Sequence, residues 1–168
     1  HHTGKLTMFP VVGSDGVEHE YQMRDPGESS SGWQQILRTA KGALLAMGPV
    51  LLHSQDSGRT WTSVEGFPAV PDSRDNAEGR HLTALSDGRV LVTWGIGRHN
   101  KGLRYNLSPD DGRTWNAETT VVLLPDTKIK ARYYSARTLQ LDARHVGSVF
   151  TNSEGVHFLR VSLDRLAR

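Results

Sequence analysis

The chain has 168 residues, of which 36% are apolar and 23% charged, and its formal net charge is +2. That balance carries neither the basic footprint of a nucleic-acid binder nor an acidic tail, and the absence of cysteine excludes disulfides and thiolate chemistry. No apolar run reaches the roughly 20 residues of a membrane-spanning helix, and the polar start His1-His2-Thr3-Gly4-Lys5 does not read as a signal peptide.

In chain order, residues 1–32 form an irregular lead-in: Lys5 to Val12 reads as a strand, and Arg24 to Gly32, rich in Gly, Ser and Pro, as a loop. Three aligned units follow, about 33–70, 78–125 and 132–168. The first runs Gln34 to Arg38, a turn at Lys41-Gly42, Ala43 to Met47, then Val50 to His53. The second runs His81 to Leu85, a turn at Asp87-Gly88, Val90 to Trp94, then Leu103 to Leu107. The third runs Ala136 to Leu141, a turn at Asp142-Ala143-Arg144, Val146 to Phe150, then Val156 to Val161. Short β-rich runs between Gly, Asp and Asn turns predict strands throughout, and no segment shows a 3.6-residue apolar stripe.

Each of the first two units ends in the same phrase, Ser54-Gln55-Asp56-Ser57-Gly58-Arg59-Thr60-Trp61 and Ser108-Pro109-Asp110-Asp111-Gly112-Arg113-Thr114-Trp115. Six positions of S-x-D-x-G-R-T-W recur. In the third unit the phrase has decayed to Ser162-Leu163-Asp164-Arg165-Leu166. The phrase predicts a hairpin turn: the Asp carboxylate accepts backbone N–H bonds, Gly takes a positive φ, Ser closes the turn, and Trp packs between neighbouring sheets. A repeat of this length with turns between apolar runs reads as one four-stranded antiparallel sheet per unit, an all-β fold of propeller blades. Three blades fall short of the roughly four to eight of closed propellers. The chain is therefore expected to be a piece of a longer protein, or a protomer that closes by self-association.

The phrase resembles the Asp-box of sialidases and of other bacterial neuraminidase repeat proteins. The resemblance extends over most of residues 33–166: a Tyr-Ser pair at Tyr134-Ser135, a turn at 142–144, a Gly-containing strand at Gly147 to Phe150, and the closing Ser162-Leu163-Asp164-Arg165-Leu166. It implies a six-bladed propeller, of which about three blades are present, and a secreted or periplasmic setting. In that family the box is structural and lies away from the catalytic face.

The resemblance further implies an exo-glycosidase that releases sialic acid or a related acidic sugar with retention, using a Tyr nucleophile. A neutral phenol approaches an anomeric carbon that bears a carboxylate more readily than a carboxylate nucleophile would, and a nearby Glu removes its proton. Tyr134 matches the nucleophile and Glu78 its partner. Arginines hold the substrate carboxylate bidentately; Arg98 and Arg104 match such positions, and Arg132, just before the tyrosines, is grouped with them. No cofactor is implied, and the eight histidines show no metal-ligand spacing. Glu78 and Tyr134 are one blade closer than in complete sialidases. A non-catalytic propeller module that binds glycan or protein is the alternative, with Tyr134 a packed aromatic, Glu78 a solvated charge and the arginines surface ion pairs.

Overall fold

The structure, a computed structural model, describes residues 7–11, 20–24, 35–48, 50–68, 80–95, 103–124, 134–152 and 155–166. The chain divides into two compact units, His1–Ser31 and Gly32–Arg168. In the first, β1 (Thr7–Val11) pairs antiparallel with β2 (Glu20–Arg24), Phe9 opposite Gln22.

The second unit is all-β apart from a single-turn helix and a 3-10 turn among the described residues, and its strands form three antiparallel sheets in chain order. The first sheet is β3 (Gln35–Arg38), β4 (Leu44–Met47), β5 (Leu51–Ser54) and β6 (Thr62–Ser63). The second is β7 (His81–Ala84), β8 (Val90–Gly95), β9 (Leu103–Ser108) and β10 (Val121–Leu124), with a 3-10 turn at Ala117–Thr119 capped by the Asn116 side chain. The third is β11 (Tyr134–Asp142), β12 (His145–Asn152) and β13 (Gly155–Ser162), followed by the helical turn α1 (Leu163–Leu166). No sheet closes on itself.

Among the described residues the four-stranded unit expected three times is thus present twice, and the third sheet has three strands. In the first two sheets the box turns the chain back into a fourth strand. The degenerate phrase after β13 lacks the Gly and the Thr-Trp pair and coils into α1 instead, burying Leu163 and Leu166 in the core.

Alternation along the strands gives each sheet two faces, and the sheets stack through them. Leu45, Met47 and Leu51 of the first sheet pack on Leu82, Val90, Val92 and Trp94 of the second, with Trp115 in the same cluster. Leu91 and Tyr105, on the other face of the second sheet, pack on Val146 and Val161 of the third and on α1. The first strands of the three sheets are neighbours, β3 beside β7 and β7 beside β11. The second interface is also polar: Thr83 donates to the Thr138 carbonyl at 2.8 Å, and the Thr138 hydroxyl sits 3.0 Å from that of Thr93 and 3.1 Å from that of Ser148.

Candidate functional site

Both boxes fold alike, and the reason is local. Ser54 Oγ donates to Asp56 (2.8 Å) and accepts from the Gly58 N–H (2.9 Å); Ser108 repeats this with Asp110 (3.0 Å) and Gly112 (3.0 Å). The Asp carboxylate takes the N–H of Thr60 or Thr114 at 2.8 Å and the same residue's hydroxyl. The Trp indole N–H then closes on the Gly carbonyl, at 2.9 Å for Trp61 and 3.0 Å for Trp115. Gly58 and Gly112 have φ of 89° and 83°, and the residues before them, Ser57 and Asp111, are left-handed as well, at 60° and 65°. Bonds from the Thr60 hydroxyl and N–H hold the Asp56 carboxyl down to about 2. At Asp110 partial burial opposes ionisation, but bonds from Thr114 and Ser108 outweigh it and leave the carboxyl below its usual range. The Ser hydroxyl, the Asp carboxylate and the Trp indole N–H of each box are thus spent within the turn itself, which is a structural use of these groups.

The boxes also define the two ends of the stack. At the box end Asp111 accepts from Thr39 Oγ (2.8 Å), and the Ser86 N–H donates to Gln140 (2.8 Å). At the opposite end Gln35 bonds both the N–H and the carbonyl of Leu82, Arg80 donates to the Gly48 carbonyl (3.0 Å), and β7, β8, β9 and β11 begin or end at His81, Gly95, Leu103 and Tyr134. The first strands run parallel to one another, so their starts are brought together at that end.

Tyr134 is the first residue of β11 and lies opposite Thr151, with a register irregularity between it and Arg137. Arg104 lies at the same end, but on the third strand of its sheet and opposite Trp94, on the face that packs toward the first sheet and away from β11. It is half-buried, and its Nε and the Trp94 Nε1 are buried without a hydrogen-bond partner among the described residues. Glu78, Arg98 and Arg132 lie outside the described residues, as does the side chain of Tyr134.

Two residues at the strand starts, Arg80 and His81, were not singled out by the sequence. Arg80 stacks on Phe67, 5.4 Å from the ring centroid, and burial lowers its pKa. His81 accepts from the Thr138 N–H at 3.3 Å, and burial together with the Arg137 charge lowers its pKa to about 4, so the ring is neutral at pH 7. The signal available was only their place, just before or within the first turnless run of a unit.

A cleft of about 690 Å³ lies instead at the box end, lined by His53, Glu65, Arg113, Thr114 and Trp115 among others. His53 Nε2 is buried and unpartnered among the described residues, and burial, then Arg113, lower its pKa. No described helix is long and apolar enough to cross a membrane, and no group of three or more His, Asp or Glu among the described residues is placed to hold a metal ion. No family model matches the chain, and no curated protein matches it.

Proposed function

We propose that the three sheets are consecutive blades of a sialidase-like β-propeller, and that the chain contributes to an exo-glycosidase site at the end of the stack opposite the boxes. The observation that carries this reading is the place of Tyr134: it opens the first strand of the third sheet, beside a register irregularity, at the end away from both boxes. The stacking of sheets through their first strands supports the blade arrangement. In this mechanism Glu78 accepts the phenolic proton and Tyr134 Oη attacks the anomeric carbon. The C–O bond to the aglycone breaks with its electron pair leaving on oxygen, and water then cleaves the tyrosyl sugar with net retention. Arg98 and Arg132 are assigned to the sugar carboxylate, and Arg137, further along β11, adds positive charge to the same end, while Arg104, which faces the first sheet rather than β11, is not grouped with them.

The test is release of 4-methylumbelliferone from its α-sialoside, whose low-pKa leaving group needs no acid catalyst. Tyr134→Phe should abolish turnover by at least about 10³-fold while leaving sialoside binding and far-UV dichroism intact. Turnover unchanged in Tyr134→Phe removes the tyrosine from the reaction. A second reading rests on the partnerless N–H groups of Arg104 and Trp94, which suit a bound acceptor and need no nucleophile. Sialoside binding without turnover in the unaltered chain, lost in Arg104→Ala, would select that glycan-binding module.

A further inference from the structure

The first two sheets present to their successors the same three register positions: Leu37, Leu45 and Met47 in the first, Thr83, Leu91 and Thr93 in the second. In the third sheet these positions are Leu139, Gly147 and Val149; Leu139 and Val149 are exposed, and Gly147 is covered only by Phe158 and Leu141 of the same sheet among the described residues. That face exposes Leu139 (58%), Leu141 (42%), Val149 (42%), Val156 (74%) and Phe158 (62%) together. The space that Leu45 and Leu91 fill is taken at Gly147 by the Phe158 ring, 2.8 Å from where a Cβ would stand. So the third sheet keeps the apolar relief of a face built to receive another sheet, and isolated patches of this kind mark association sites.

What seals the first such face is the second box. Trp115 is buried against Leu45 and Met47, Asp111 receives the Thr39 hydroxyl at 2.8 Å, and Gly112 lies against Leu45, where a Cβ would come within 2.6 Å. The first box has the same conformation, yet Ser57, in the place of Asp111, is exposed, and Trp61, in the place of Trp115, is only half-buried. Among the described residues of Gly32–Arg168 there are therefore an uncovered receiving face and a box with no receiving face beneath it. We propose that copies of this chain associate head to tail, the first box of one seated on the third sheet of the next, continuing the interface that joins the first and second sheets. The contact is heterologous, so it gives a two-copy ring if the rotation closes and longer assemblies if it does not.

The Thr39–Asp111 contact fixes the register of the proposed joint, because Leu141 occupies the Thr39 position and Ser57 the Asp111 position. The chain has no cysteine, so single replacements report cleanly. Leu141→Cys chains mixed with Ser57→Cys chains under mild oxidation should give the mixed disulfide, and neither alone should cross-link efficiently. Light scattering at roughly 100 µM should show a dimer or larger species, with Phe158→Asp weakening association at least about tenfold. Because the Phe158 ring also rests on Gly147, dichroism checks the fold of Phe158→Asp, and Val156→Asp, at the more exposed position of the same face, should weaken association likewise. A monomer at that concentration, association indifferent to Phe158→Asp, or a Leu141→Cys homodimer marking face-to-face pairing would each overturn the proposal.

Discussion

Trp61 and Trp115 hold one position of one motif, and each closes the same indole bond to a Gly carbonyl. They differ in what lies beneath the ring. Trp115 is 7% exposed, set edge-on to Phe67 with centroids 5.1 Å apart and packed on the first sheet, whereas Trp61 is half-buried. Removing a buried indole costs its transfer free energy and leaves a cavity, so Trp115→Ala should lower stability by about 3–5 kcal/mol, and Trp61→Ala by about 1–2 kcal/mol. Urea midpoints at constant m, measured on dilute chain, check the difference; equal losses would mean that burial is not the cause. The turn chemistry at this scale was legible, because Ser, Asp and Gly bond within eight residues of chain. The unequal burial was not, since it depends on which sheet lies on each side. Nor were the left-handed Ser57 and Asp111, which the two flanking carboxylate and hydroxyl bonds hold in place.

Between elements, the two interfaces are made differently. The first and second sheets meet through Leu, Met, Val and Trp, while the second and third add a buried hydroxyl chain and the His81 acceptor. His81 is neutral in the fold and titrates at its ordinary 6.5 when unfolded, so the unfolded chain binds more protons between about 4 and 6.5. Stability linked to His81 is thus fully present above pH 6.5 and is lost as pH falls toward 4. Allowing for its partial exposure, the loss should be on the order of 1–2 kcal/mol. Chemical denaturation from pH 7.5 to 4.5 should show the decline, and His81→Gln should flatten most of it. His53, also shifted down, leaves a smaller slope in the same window. An unchanged slope in His81→Gln would assign the dependence elsewhere. Strand periodicity made the sheets legible to within a residue or two, as at β7, β8 and β9. A fourth strand was expected for the third sheet as for the others, and the buried helical turn that follows β13 was not: two leucines three residues apart, Leu163 and Leu166, are too short a stripe to read.

For the molecule as a whole, the repeat made the three sheets of Gly32–Arg168 and their order legible, while of the proposed site residues the structure places only the backbone of Tyr134, at the start of β11, and Arg104, on β9. Glu78, Arg98 and Arg132 fall in stretches of sequence with no strand alternation to place a side chain, whereas Arg104 follows from the run Leu103 to Leu107. What the stacking does dictate is a gradient of stability. The second sheet is covered on both faces, by the first sheet over Val90, Val92 and Trp94 and by the third over Leu91 and Tyr105, and β8 is hydrogen-bonded on both edges. The third sheet is covered on one face only, and β13 is its edge. Local opening costs least where few apolar contacts are lost, so native-state hydrogen exchange in dilute chain should be slowest in β8, with β13 exchanging at least about 10²-fold faster. Raising the chain concentration should then slow β13 selectively if its open face is taken up by a neighbouring copy, and leave β8 unchanged. Uniform protection of β8 and β13 at high dilution would show instead that the three sheets open as one unit.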